Sequence, residues 1–259
     1  MTPENAGTAE LLDLAVHVAR AAGDFLRDAF GRRLERREKT SARDLVSDAD
    51  LRAERIVVDA LRSARADDAV VGEEYGAVAG RSGLTWAVDP LDGTSNFLAG
   101  IPHWATAIAC EDDAGPVVAV VYDPTRDELF AAARGCGTTV DGGPAAGSAC
   151  GDLRTAIGAL SPAWEEAWHA HRIRLADRLL AAVAHGRQMG SLALDLAWTA
   201  AGRFDFLYYE CALNPWDVAI RLLADEAGLV TELLPPRPDR PGALLAAPPS
   251  LRDALLELL

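Results

Sequence analysis

Lysine is all but missing from these 259 residues: Lys39 stands alone beside 24 arginines. With Ala, Gly and Leu so abundant, the imbalance reads as the codon usage of a GC-rich genome, and it makes the one lysine conspicuous. Basic residues are outnumbered as a class, 25 against 39 acidic ones, for a formal net charge of −14. A chain this acidic lacks the clustered cations that hold nucleic acid or an anionic membrane, so neither is expected as a partner. Cysteine is scarce too. Cys110, Cys136, Cys150 and Cys211 form no C-x-x-C pair, which argues against a zinc knuckle or a redox dithiol. No run of roughly 18 apolar residues offers a membrane span. The opening MTPENAGTAELLDL has neither the basic nor the apolar region of a secretory signal. The expectation is a cytoplasmic protein with free thiols.

What is present is the composition of an ordinary globular chain, 50% hydrophobic and 25% charged. A chain of this length buries roughly 70–75% of its surface on folding and needs no staples. The acidity is either a solvated surface or, in part, a set of carboxylates gathered around divalent cations.

Apolar residues recur at helical spacing over 9–30 (Leu11, Ala15, Val18, Ala22, Phe25) and again after Ser47 (Leu51, Ile56, Val57, Leu61). The runs AVVGEE (69–74) and LTWAVDP (84–90) read as strands ending in acidic residues. Three β-like runs fill 103–133, separated by Gly115-Pro116 and Asp123-Pro124 turns. Residues 135–151 read as loop, 165–184 and 190–202 as helices, 205–209 as a strand and 216–228 as one helix. LVTELL and ALLAA are strands, and LRDALLELL is a closing helix. Helices and strands alternate in blocks rather than in βαβ rhythm, so a layered α+β or mixed α/β fold is expected over a Rossmann fold. The chain 1–259 reads as a single unit, with a division near 140–152 into halves 1–145 and 146–259.

Four short motifs carry chemistry. In Trp86-Ala-Val-Asp89-Pro90-Leu91-Asp92-Gly93-Thr94-Ser95-Asn96-Phe97 an apolar strand runs into two aspartates and a Gly-Thr turn. Carboxylates at a strand end converge well on Mg²⁺, and the Gly93 and Thr94 amides can donate to a phosphate. An Asp-Pro/Asp-Gly turn with solvated aspartates is the plainer alternative. The D-x-x-D spacing differs from the D-x-D-G-T of phosphatases that use an aspartyl nucleophile. Gly72-Glu73-Glu74 follows a second strand-like run and offers another carboxylate. Asn214-Pro215-Trp216-Asp217 opens a helix, where Asp217 is either a dipole partner or a ligand. Lys39-x4-Asp44-Leu45-Val46-Ser47-x2-Asp50 is either an S-x-x-D capping box or, through Asp50, a base beside the metal site.

Together these motifs resemble the inositol monophosphatase family of metal-dependent, lithium-sensitive sugar phosphatases. Residues 86–97 are similar to its W-V-D-P-[IL]-D-G-T-[TS]-N-F signature. Trp216-Asp217-Val218-Ala219 with Glu226-Ala227-Gly228 is similar to its second signature, and VYDPTRDELFAA followed by GCG fits between them. The resemblance runs from about residue 8 to the C-terminus. It implies an alternating α-β-α-β-α layered sandwich, two to three Mg²⁺ ions and a homodimer. It implies Glu73, Asp89, the Leu91 carbonyl, Asp92 and Asp217 as metal ligands, and Asp50, Thr94 and Glu73 as catalytic residues. It implies a substrate pocket of Asp92, Gly93, Thr94, Ser191, Leu192, Glu210 and Asp217, with Lys39 close to the site. Leu192 stands where the family has a small residue and would crowd that pocket. The stretch from Asp205 to Glu210 is one residue longer than in the family, a slip that reverses side-chain direction in a strand unless a bulge absorbs it. The substrate implied is a small phosphorylated polyol, foremost myo-inositol 1-phosphate. Histidinol phosphate and fructose 1,6-bisphosphate are alternatives, with Trp104 and Trp164 as candidates to flank a cationic leaving group. From another class, a regulatory binding protein with vestigial activity is the rival reading.

Overall fold

A computed structural model describes residues 3–32, 36–38, 45–161, 168–210, 214–238 and 240–259. Lys39, Asp44, Trp164 and Cys211 lie outside the described residues. Two helices lead, α1 (Pro3–Ala29) and α2 (Asp48–Ala64), with the short pair β1 (Arg36–Glu38) and β2 (Leu45–Ser47) between them. Then come β3 (Ala69–Gly72), β4 (Gly76–Val78), β5 (Thr85–Asp92), α3 (Thr94–Ala99), β6 (Ala105–Asp112), β7 (Gly115–Asp123), β8 (Glu128–Ala133), β9 (Gly137–Val140) and β10 (Gly143–Ala145). The second half holds β11 (Ile157–Ser161), α4 (His169–Ala182), β12 (His185–Arg187), α5 (Leu192–Ala200), β13 (Phe206–Glu210), α6 (Pro215–Ala219), α7 (Leu222–Glu226), β14 (Val230–Leu234), β15 (Ala243–Ala247) and α8 (Pro249–Leu258).

Strands β3–β10 form one sheet in the order β10-β9-β8-β7-β6-β5-β3-β4, antiparallel except where β3 runs beside β5. The others form a second sheet, β12-β11-β13-β15-β14. Side-chain alternation explains how five layers stack. On β5, β6 and β7 one set of residues (Trp86, Val88, Ile108, Cys110, Val118, Val120) packs under α1 and α2. The alternate set is nearly all alanine (Ala87, Ala105, Ala107, Ala109, Ala119) and lets α5, α6 and α7 approach closely. Those helices also cover Leu207, Leu244 and Ala246 of the second sheet. Its other face, Phe206, Tyr208, Leu245 and Ala247, packs under α4 and α8. The result is the expected α-β-α-β-α sandwich, and no helix among the described residues is long and apolar enough to cross a membrane.

Two local readings need correction. Residues 137–145 are a hairpin rather than loop: Asp141 and Gly142 both have positive φ (51° and 78°), as a two-residue Asp-Gly turn requires. Residues 216–228 are two helices rather than one. At the junction Arg221, Leu223 and Ala224 bond to carbonyls three residues back, which tightens the coil and interrupts the i−4 ladder.

Candidate active site

The site is built at the end of β5. Three residues apart on a regular strand, Asp89 and Asp92 would face opposite ways. The ladder instead pairs Asp89 with Ala107 and Asp92 with Ala105, three steps on β5 against two on β6. The extra residue falls at the Pro90-Leu91 step, where Thr106 Oγ1 donates to the Pro90 carbonyl at 2.9 Å. This bulge returns both aspartates to the alanine face, toward α5 and α6.

Glu73 follows the last residue of β3, which pairs with Val88, and its amide donates to the Val88 carbonyl at 3.2 Å. Asp217 lies in the first turn of α6, held by Asn214 Nδ2 at 3.1 Å. Asp89 is buried, and its Oδ1 accepts from the Leu91 amide at 3.1 Å. Asp92 meets the start of α5: Ser191, the N-cap, donates its hydroxyl, and the Ala193 and Leu192 amides donate at 2.9 and 3.3 Å. A helix N-terminus is a natural anchor for a carboxylate.

Burial is the leading influence on three of these acids. It drives Asp89 well above the usual carboxylate range, reinforced by Glu73 and Asp92. Asp217 is pushed up to about 7 by burial and by Asp92 and Glu73. Asp92 rises only to about 6, because Ser191 and Ala193 stabilise its charge. No arginine, lysine or histidine is among the main influences on any of the three. Hard oxygen donors crowded together without a protein cation fit Mg²⁺-type chemistry. Among the described residues no three acidic, imidazole or thiol groups already form a closed cage, so the donors stand as an open set.

Asp50, in the first turn of α2 and 1% exposed, accepts the Thr94 hydroxyl at 3.0 Å. Thr94 Oγ1 is also 3.1 Å from the Leu91 carbonyl, and its one proton serves one acceptor at a time. Gly93 starts α3 with φ 89°, and an added Cβ would lie 3.1 Å from the His103 carbonyl. Glycine is required there on both counts.

Three residues that sequence reading passed over hold the arrangement. Glu54, one turn beyond Asp50 on α2, accepts the Glu74 and Tyr75 amides at 2.7 and 2.8 Å and so fixes the loop carrying Glu73. A Cβ on Gly72 would fall 2.1 Å from Glu54 Oε1. The i, i+4 spacing from Asp50 was the available signal. Asn96 ties the halves together, donating to the carbonyls of His103 and Met189 at 2.7 and 2.8 Å. Glu226, inside the second motif, accepts the Gly135 and Gly137 amides and braces the GCG turn.

Two expected pocket residues are placed otherwise. Glu210 shares the parity of Phe206 and Tyr208, so it lies on the face under α4 and α8, 2% exposed. There it accepts the Tyr208 hydroxyl at 2.8 Å and meets His171 Nε2 at 2.6 Å. Strand alternation turns it away from the face that carries Asp89 and Asp92, a correction to its pocket role. Leu192 does not crowd a pocket: its side chain is buried in the core between the sheets, and only its amide addresses Asp92. Trp104 is core, stacked with Phe97 and Phe30.

Residues 8–249 match the family model described as the inositol monophosphatase family. Nus factor SuhB of Escherichia coli K12 is 38% identical over 223 residues, covering 84% of this chain and 83% of the relative. The crystal structure of extragenic suppressor protein suhB from Bartonella henselae superposes with a TM-score of 0.89 at 33% identity, covering 96% of this chain and 98% of the other. An IMPase from Thermotoga maritima superposes with a TM-score of 0.85 at 25% identity, covering 96% of each chain.

Proposed function

This chain belongs to the inositol monophosphatase family, and from that premise we propose that it hydrolyses a small phosphorylated polyol, foremost myo-inositol 1-phosphate, with Mg²⁺. The observation that carries the reading is the buried carboxylate set without a protein cation, facing the Thr94–Asp50 pair. Glu73, Asp89, Asp92, Asp217 and the Leu91 carbonyl would hold the metal. When bound, the metal neutralises phosphoryl oxygens, acidifies water and eases departure of the alcohol.

The chain's own residues supply the rest. Asp50 holds the Thr94 hydroxyl proton, which leaves the lone pairs of Oγ1 free to accept from an attacking water. Asp50 is the terminal proton acceptor of that relay. The α3 N-terminus at Gly93-Thr94 presents amides to the phosphate. Water attacks in line with the leaving oxygen, and no phosphoenzyme is formed. Ser191 and the α5 amides keep Asp92 from swinging out of line.

Phosphate release from inositol 1-phosphate, histidinol phosphate and fructose 1,6-bisphosphate tests the reading. Activity with Mg²⁺, loss in EDTA and inhibition by lithium are expected, with the highest kcat/KM on inositol 1-phosphate. Full turnover in excess EDTA would sink it. The name Nus factor borne by the E. coli relative supports a second reading, a regulatory binding protein on the same fold. Inactivity across that panel with metal bound decides for it. A homodimer and a cytoplasmic location complete the proposal.

A further inference from the structure

The second sheet carries a feature that the hydrolysis above does not use. Under the same layer that buries Glu210, a cavity of about 440 Å³ opens between α4 and the turn at 237–240. His171, Arg174 and Arg178 face it from one stripe of α4, at the i, i+3, i+7 spacing of a helix face. Arg237 and Arg240 face it from the turn, whose backbone is closed by Arg237 N to Arg240 O at 2.7 Å and the reverse bond at 3.2 Å. Asp177 is the acid among the lining residues. Four guanidiniums against one carboxylate leave a surplus of three positive charges in a chain of net charge −14.

Elsewhere arginines are matched: Arg65 with Asp68, Arg134 with Asp112, Arg203 with Glu128, Arg252 with Glu232. None of the ion pairs among the described residues involves Arg174, Arg178 or Arg237. Arg240 is 4% exposed, and its Nε is buried without a hydrogen-bond partner among the described residues. A buried donor left unpaired is costly, and an incoming acceptor would remove that cost.

We propose that this cavity binds a small anion carrying two or more phosphoryl groups. The guanidinium fork matches phosphate oxygens two at a time. The volume lies in the range of small-molecule sites, roughly 300–1,000 Å³, and exceeds what a lone ion fills. A single phosphate monoester carries about −1.5 to −2 charges and leaves part of the surplus unmatched. A second phosphoryl group closes the difference. A nucleic-acid strand needs an extended basic track, whereas this charge is recessed and local. The site is independent of the phosphatase reading, since its residues lie on the opposite face of the second sheet from α5 and α6.

Calorimetric titration of pyrophosphate in EDTA tests it, because the metal-free carboxylates repel that anion. One site is expected, with orthophosphate at least tenfold weaker. Arg174→Ala with Arg178→Ala, both exposed on α4, should weaken pyrophosphate at least tenfold. Arg237→Gln, in the turn, should weaken it severalfold without touching the helix. Arg81→Ala, paired with Asp67 on the surface, and Asp92→Asn should leave binding unchanged. The proposal is overturned by absence of binding, by equal affinity in the α4 variant with an unchanged melting temperature, or by loss in Asp92→Asn. A single-stranded RNA that binds through the same arginines more tightly than pyrophosphate also overturns it.

Discussion

Stripped of divalent cations, this protein should be less stable at pH 8 than at pH 5. Asp217 stands at about 7 and Asp92 at about 6, against an ordinary 3.8, and Asp89 is raised further still. A carboxyl with a raised folded-state pKa holds its proton more tightly in the folded chain than in the unfolded one. The stability it confers is complete below about pH 4 and is lost as pH climbs through 6 and 7. For Asp217 alone the displacement from 3.8 to about 7 corresponds to about 4 kcal/mol. With an unfolding entropy of about 0.5 kcal/mol per degree for a chain of this size, that is a fall in Tm of roughly 8 °C. The arginine-paired acids Asp68, Asp112 and Glu128 have the opposite sign, but they titrate below their ordinary range and outside this window. Scanning calorimetry in EDTA at pH 5 and pH 8 reads the difference. Mg²⁺ at a hundred times its Kd should restore about 2.7 kcal/mol at pH 8, roughly 5 °C, and much less at pH 5, where protons compete. Asp217→Asn should flatten the pH dependence. A Tm in EDTA that is level from pH 5 to 8 in both proteins refutes the reasoning.

Asp92→Asn should abolish phosphate release while the metal-free Tm at pH 8 holds or rises, since a repelling charge is removed from a site whose hydrogen bonds survive; activity and calorimetry together read this. Thr94→Ala should lower kcat about a hundredfold or more with the fold intact, and Thr94→Ser should restore most of it, as a proton relay requires. Glu54→Gln should raise the Mg²⁺ concentration for half-activity by about 10–100-fold, because the loop carrying Glu73 loses its charged anchor. Gly93→Ala should destabilise by more than about 1 kcal/mol in denaturant titration, from positive φ and the His103 carbonyl together.

Local chemistry made much of this legible. Strand β5, the Asp-Gly-Thr turn after it and the helix at Asp217 each announce themselves through neighbours in sequence. What sequence reading missed depends on contacts between distant segments. Glu54 meets amides 20 and 21 residues away, and Asn96 meets a carbonyl 93 residues away. The bulge at Pro90-Leu91 is visible only against the partner strand, because nothing in D-x-x-D alone says which face the second aspartate takes. The hairpin at 137–145 is a different kind of miss. Its Asp141-Gly142 turn is a local signal, hidden by the small residues around it.

Glu210 shows why spacing to a motif and orientation are separate facts. It keeps seven residues to Asp217, yet in β13 its parity with Phe206 and Tyr208 decides which layer it enters. Once there, His171 and Tyr208 satisfy it, so the acid becomes the floor of a basic cavity rather than part of the carboxylate set. The net charge of −14 therefore hides two local fields of opposite sign on opposite faces of the second sheet. One is an acid cluster whose repulsion a divalent cation relieves. The other is an arginine cluster whose repulsion an anion relieves. Each should gain stability from its own counter-ion, and Mg²⁺ and pyrophosphate added at concentrations below precipitation should raise Tm additively if the two sites are uncoupled. A shortfall from additivity would mean that pyrophosphate acts on the protein by sequestering the metal or by sharing its site.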